Sequence, residues 1–439
     1  MLPLLDRRLL ISFCAVTCFV LIAFFIHPQT LSFQHASDLL HATASDRTHV
    51  QIPIGMQVIA FVFYGRRDRV SILDCYLQEN LKRNGGILDE VKFILKTEDQ
   101  GDLEWLHEHV EKTPGYSITT VSKNVDFHNL QFASAYDHLR RNTIYLKIDD
   151  DVVSPLEVCA ARHSVHELTS LPQVFIDRNA IRHLVKTKLE HPEYIVLSAN
   201  VINNPLLSFI HYHLGAVLPF RPETPARPDL HPSTWKTSGL PSWTGPADYA
   251  PDLCSDCSRD VYHRWLPLPA GHTTDNTAIE STEYSPHGHG WKSWEMAAQE
   301  HYSFFANMER DPALSAYKFP IWKSFYDRVS VNFICFTGDD VLDNGPMPEG
   351  DEEYLTVILP KKTGRRKSSI QLRQTMSNAD RNGTDVAIDG NAVVVHYSFG
   401  TQWGDKPPRG LAYTDILERY KLLAAEKSCA KREAVSKGG

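Results

Sequence analysis

Apolar positions fall into two patterns along this chain. Leu9 to Ile26 (LLISFCAVTCFVLIAFFI) is a continuous apolar run with no charge, proline or glycine. From residue 57 onward the apolar residues come in short bursts separated by helical periodicity and polar turns. Gln57 to Tyr64 (QVIAFVFY) is β-branched and aromatic throughout, as in a strand buried on both faces of a parallel sheet, and a polar GRRDR turn follows it. A helical pattern over Val70 to Lys82 leads to a second strand, Val91 to Leu95. An acidic helix over Asp102 to Glu111, a short strand over Ser117 to Val121 and a helix over Leu130 to Arg140 come next. The strand Ile144 to Ile148 then runs straight into Asp149, Asp150 and Asp151. Strands alternating with helices predict an α/β fold, a doubly wound sheet flanked by helices and joined by right-handed crossovers. Ligands bind such sheets at the carboxyl ends of the strands, which is where the GRRDR turn and the Asp triplet are expected.

Beyond the triplet the pattern loosens. About Pro219 to Pro269 is rich in Pro, Trp and Ser with weak periodicity and reads as an insertion over the sheet. Residues 291 to 306 form an amphipathic helix pattern, Val329 to Phe336 a further strand, Val393 to Tyr397 a last strand, and Tyr413 to Glu426 a closing helix. No internal repeat is present.

The N-terminal run changes the picture of where this domain sits. Eighteen residues make roughly 27 Å of helix, near the hydrocarbon thickness of an internal membrane. Arg7 and Arg8 precede it, so a cytosolic N-terminus and a translocated remainder are expected. A cleaved signal peptide is the rival, with small residues at His41 to Ser45 offering a site, though its apolar core is normally shorter. The chain divides on this reading into a tail (1–8), a transmembrane signal anchor (9–26), a polar stem (27–55), a luminal domain (56–426) and a C-terminal tail (427–439).

Composition adds exclusions. With 45 Lys+Arg against 53 Asp+Glu the formal net charge is −8, so a polybasic nucleic-acid binder is excluded and no nucleic-acid partner is expected. Hydrophobic residues at 42% and charged residues at 22% are globular values, not those of a disordered chain. Of eight Cys, Cys14 and Cys18 lie in the apolar run; the others leave room for one or two disulfides whose pairing the sequence does not give.

The chemistry-bearing feature is the strand end YLKIDDDVV. Three adjacent carboxylates repel one another unless a cation lies between them, and a hard divalent ion with oxygen ligands meets that need. Alternation along a strand lets Asp149 and Asp151 share one side while Asp150 faces the other. A solvated turn or helix cap is the plainer alternative. Paired His at 211 and 213 and at 287 and 289, with Cys254 and Cys257, lack zinc-finger spacing.

The apolar first strand, its Arg-bearing turn, the β-α-β succession and KIDDDV behind a short basic anchor resemble Golgi-type nucleotide-sugar glycosyltransferases of the GT-A fold. Together with SANVINNPL, GWKSWEMAAQEHYSF, NFICFTGDDV, DEEYLTVILPKK and VVVHYSFGTQ, the pattern over roughly residues 55 to 425 resembles fungal glycosyltransferase-like type II membrane proteins. The resemblance implies a GT-A-like, Rossmann-related mixed sheet behind a transmembrane helix, in the Golgi membrane or the ER with its catalytic domain luminal. It implies that Asp151 coordinates Mn²⁺ or Mg²⁺, that Asp149 contacts the ribose or a metal-bound water, and that His396 adds a metal ligand. Arg66 and Arg67, with Asp149 and Asp150, would bind the nucleotide sugar, Arg suiting diphosphate oxygens through its planar fork. Asp340, or Asp339, would be the general base that deprotonates an acceptor hydroxyl, giving direct displacement with inversion. Trp291 and Trp294 are candidates for stacking on an acceptor sugar. Each has a structural alternative: a core His396, solvated arginines, a helix cap at Asp340 and core tryptophans.

One departure stands out. Residues 153 to 173 (VSPLEVCAARHSVHELTSLPQ) interrupt what the resemblance gives as KIDDDV followed by VFID, which suggests a retained intron, with a true loop insertion as the rival. The expected activity is transfer of a sugar from a nucleotide-sugar donor to a glycan or glycoconjugate. The alternative is a catalytically inactive glycan-binding, nucleotide-sugar-binding or scaffold protein. A metal-dependent phosphate-ester hydrolase would need ligands at spacings that are not found.

Overall fold

The computed structural model describes residues 50–120, 133–149, 173–223, 232–240, 264–267, 274–275, 277–324, 328–348, 350–363, 386–403 and 410–429. The anchor expected at 9–26, Asp150, Asp151 and residues 153–172 lie outside them, as do most of the stem and of the C-terminal tail. Among the described residues no helix is long and apolar enough to cross a membrane.

The first strand is as expected. β1 (Gln57–Tyr64) buries every residue after Gln57: Phe61 and Phe63 meet the Tyr136 ring on one face, and Tyr64 meets Phe93 and Trp105 on the other. Helix α1 (Arg67–Asn80) returns to β2 (Glu90–Leu95), and α2 (Gln100–Lys112) to β3 (Tyr116–Thr120). Asp99 caps α2 by accepting from the Asp102 amide at 2.9 Å, supplying one of the partners that a helix start lacks. β1, β2 and β3 are parallel, and β4 (Thr143–Asp149) lies parallel to β1 on its other side.

The order across the nine-stranded sheet is β3-β2-β1-β4-β10-β6-β11-β5, with β9 added to β11. β10 (Phe333–Thr337) is antiparallel to both β4 and β6 (Val196–Ile202). β11 (Val386–His396) is parallel to β6, while β5 (Gln173–Ile176) and β9 (Trp322–Lys323) run antiparallel to it. The architecture is therefore mixed α/β. β7 (Phe220–Glu223) and β8 (Arg264–Pro267) form a separate two-stranded ribbon inside the expected insertion.

Helices α3 (Ala180–Glu190), α4 (Pro205–His213), α5 (Trp294–Arg310), the short α6 (Gly338–Leu342) and α7 (Ile416–Ala424) complete the layers. α5 starts three residues later than its apolar pattern because Ser293 caps it, accepting from Met296 N at 3.1 Å. β11 is longer than expected. Asp389 to Val393 forms a bulge, and a Cβ at Gly390 would meet the Phe319 carbonyl oxygen at 2.0 Å, so the glycine permits a close approach there. Cys75 on α1 pairs with Cys429 beyond α7 in a disulfide that closes across 354 residues of sequence.

Candidate functional site

Strand directions decide which candidates meet. β1 and β4 are parallel with Phe63 opposite Asp149, so the turn after β1 and Asp149, the described member of the triplet, lie at the same edge of the sheet. The strand order moves outward from β1 through β2 to β3 and then resumes at β4 on the opposite flank of β1. The boundary between β1 and β4 is thus the switch point at which open α/β sheets form a ligand crevice. Arg66, half-buried, occupies the residue before α1, and Arg67 is exposed. The amide of Arg67 donates to Asp102 Oδ1 at 3.2 Å, tying this turn to α2. A helix start with an adjacent guanidinium is suited to an anion.

Asp149 is buried and salt-bridged to Lys147 Nζ, two residues back on the same strand face. Lys147 Nζ also lies 3.5 Å from Asp351 Oδ2, donates to the Val331 carbonyl at 3.3 Å and sits 5.0 Å from the Phe63 ring centroid. Tyr136 donates its hydroxyl to Asp351 Oδ2 at 2.7 Å. Burial opposes the Lys147 charge, but Asp149 and then Asp351 outweigh it and hold its pKa above the ordinary value. The ammonium is therefore a fixed buried cation beneath the strand end.

β11 brings His396 to the same edge, since its Val395 pairs with Ile202 at the end of parallel β6. His396 is buried with its ring 4.5 Å from Phe399. The turn after β6 is locked to this segment: Asn203 donates from Nδ2 to the Tyr397 carbonyl at 2.9 Å and exchanges hydrogen bonds with Gln402 at 3.0 Å. Glu300 of α5 accepts from the Asn203 amide at 2.8 Å, and burial pushes its carboxyl up to about 7. Asn203 has φ +58°, a left-handed conformation that this network maintains. Arg69, in the first turn of α1, is buried with its guanidinium 4.8 Å from the Trp403 ring centroid.

Asp339 and Asp340 lie elsewhere. Antiparallel β10 pairs Phe333 with Ile148 and Thr337 with Ile144, so its TGDD end lies at the amino end of β4, about 17 Å along the sheet from Asp149. Asp339 pairs with Arg141 at 3.1 Å and accepts from the Asn142 amide at 2.8 Å. Asp340 pairs with buried Lys188 at 2.9 Å. Thr337, not Asp340, is the helix cap, accepting from the Asp340 amide at 3.2 Å. A Cβ on Gly338 would meet the Arg140 carbonyl oxygen at 2.0 Å. Each member of the motif thus has a packing or pairing task, and the expectation of a base beside the triplet is not met here.

Trp294 is core, buried on α5, whereas Trp291 remains half-exposed with its ring 5.3 Å from His287. His211 is buried against Asn200 Oδ1 at 2.7 Å, as a core histidine, and Cys254 and Cys257 lie outside the described residues. Among the described residues no group of three His, Cys, Asp or Glu is gathered that could hold a metal ion. Among the described residues the edge supplies the carboxylates of Asp149 and Asp351, both charge-paired with Lys147, and the imidazole of His396. These are donors of suitable type but an incomplete ligand set. Lys147, Asp351 and Arg69 were not expected. Lys147 was legible as a charge inside an apolar strand, Arg69 as the third arginine of GRRDR, while Asp351 carries no local signal.

The sequence matches no protein-family model and no curated protein. The structure is similar to the crystal structure of GalNAc-T7 with UDP, GalNAc and Mn2+, at a TM-score of 0.36 and 8% identity over 84% of this chain. The chain spans about half, 48%, of that structure's length.

Proposed function

We propose that this protein is a nucleotide-sugar-dependent glycosyltransferase acting on a glycan or glycoconjugate. The observation that supports this most is the meeting of the Arg66 turn with Asp149 at the β1/β4 switch point. Arg66 and the start of α1 receive the donor diphosphate, the guanidinium fork matching phosphate oxygens. Asp149, oriented by Lys147, accepts from the nucleoside's ribose hydroxyls. During transfer the bond from the anomeric carbon to the diphosphate oxygen breaks, a bond to an acceptor hydroxyl oxygen forms, and that hydroxyl's proton passes to the departing diphosphate. Mn²⁺ or Mg²⁺ is the proposed cofactor: Asp149 and His396, with Asp151, would hold it, and it would supply the positive charge that neutralises a departing diphosphate. The Cys75–Cys429 disulfide favours an oxidising compartment, in keeping with a Golgi or ER lumen reached through the 9–26 anchor.

A second reading is favoured by one observation. Asp339 and Asp340 are engaged in ion pairs at the other end of the sheet, so neither candidate base faces the donor, which suits a protein that binds nucleotide sugar without turning it over. A donor-panel hydrolysis assay, paired with nucleoside-diphosphate binding, separates the two. Turnover that Asp149→Asn abolishes supports the transferase, and binding without turnover supports the second reading.

A further inference from the structure

Away from Asp149, a run of aromatic rings lies partly exposed at the surface: Phe209, Tyr212 and Tyr284 pack on the core along one side, and Trp322 is the exposed large hydrophobic among them. α4 buries most of its residues, but Phe209, Tyr212 and His213 lie on an outward face at helical spacing from Pro205. The segment from Tyr284 to Trp291 lies along that face. Tyr284 meets Phe209 with ring centroids 5.9 Å apart, and a Cβ on Gly290 would lie 3.6 Å from Pro205 Cα. The Phe209 and His213 rings are 4.1 Å apart. On the far side of Tyr284, Trp322 of β9 donates from Nε1 to the Tyr284 hydroxyl at 3.3 Å and remains 42% exposed.

This track is continuous with the candidate site. α4 begins at the carboxyl end of β6, next to the Asn203–Gln402 network, and Gln402 Nε2 donates to the Gly290 carbonyl at 2.5 Å. Trp291 stands at that end, and its carbonyl accepts from the Thr401 hydroxyl. From there to His213 the helix covers about 12 Å, the length of two to three pyranose rings.

We propose that the Trp291–Phe209–Tyr284–Trp322 track is an acceptor subsite for the distal sugars of a neutral oligosaccharide. Flat ring faces meet the C–H faces of pyranoses, and the phenol, indole and imidazole at their margins meet the hydroxyls. A protein partner fits less well. Of the large hydrophobics exposed among the described residues, only Trp322 and Leu214, the residue after His213, lie here, too little apolar surface for an interface of some 800 Å² per partner. The assignment rests on the glycosyltransferase reading for its choice of ligand, but not on Asp149.

The test is titration of the full chain with chitotetraose, mannotetraose and maltotetraose, and separately with UDP and GDP. One tetrasaccharide is expected to bind, about tenfold more weakly to Trp322→Ala and to Tyr284→Ala, with nucleotide binding unchanged within twofold. Unchanged tetrasaccharide affinity in both variants, or no tetrasaccharide binding by the wild type, overturns the subsite. So does loss of a protein partner, but not of the saccharide, in Trp322→Ala. Saccharide binding lost on these substitutions without any nucleotide binding would instead leave the subsite standing and sink the transferase reading.

Discussion

Lys147 and Asp149 form a buried ion pair two residues apart on one strand, and the same ammonium reaches Asp351 from a segment far along the chain. A buried lysine shared by two carboxylates is compensated only while all three groups are present. Lys147→Met leaves two carboxylates in a dry site and is expected to cost about 3 kcal/mol or more in urea unfolding. Adding Asp149→Asn should recover part of that loss, because one stranded charge is removed. An unchanged midpoint in Lys147→Met contradicts the pairing.

The turn after β1 makes a separate prediction. Arg66→Ala removes a charge-assisted contact to the diphosphate and should weaken UDP or GDP binding about tenfold or more, with little change in melting temperature. Arg67→Ala, at an exposed position whose amide carries the link to Asp102, should have a smaller effect.

TGDD is expected to behave as structure. Asp340→Asn leaves Lys188 without its carboxylate and should lower stability by about 1–3 kcal/mol, while donor hydrolysis changes less than twofold. Thr337→Ala should cost about 1 kcal/mol through the lost cap. Loss of hydrolysis in a stable Asp340→Asn protein would instead restore Asp340 as the base.

Stability should depend on pH in two opposed windows. Burial raises Glu300 from 4.5 to about 7, so the native state holds its proton more tightly, and this contribution is lost as pH rises from about 4.5 through 7. His211 and His301 are lowered by burial to about 3, so the unfolded state binds their protons first and stability falls as pH drops below 6.5. Chemical denaturation across this range should therefore show a maximum near pH 6.5. Glu300→Gln, which keeps the acceptor for Asn203, should flatten the limb above pH 6.5 and steepen the one between about 4.5 and 6.5.

Much of the fold was legible because period and composition agree. β1 is buried on both faces and reads as one apolar run, and the ends of β2 and α2 follow from their flanking turns. The Asp triplet and the Arg turn were placed on one edge by the rule that parallel strands share a direction. That rule does not reach β10: nothing in NFICFTGDDV announces an antiparallel strand, so the place of its acidic pair at the amino end of β4 was not legible. The bulge in β11 was missed for a related reason: Asp389-Gly390-Asn391 has turn composition, but its glycine serves a contact with Phe319 distant in sequence. Asp351 and the Cys75–Cys429 pairing are tertiary facts with no periodic signature. Trp294 shows the limit of counting aromatics, since only the position of the Ser293 cap separates it from Trp291.

The central claim is that Asp149 and Arg66 frame a nucleotide-sugar site at the β1/β4 switch point. Its most direct test is titration of the purified chain with UDP and GDP in the presence of Mn²⁺. The account predicts saturable binding of one of them, reduced at least tenfold in both Arg66→Ala and Asp149→Asn and unaffected by Asp339→Asn. Absence of nucleotide binding, or binding that survives both edge substitutions, would contradict it.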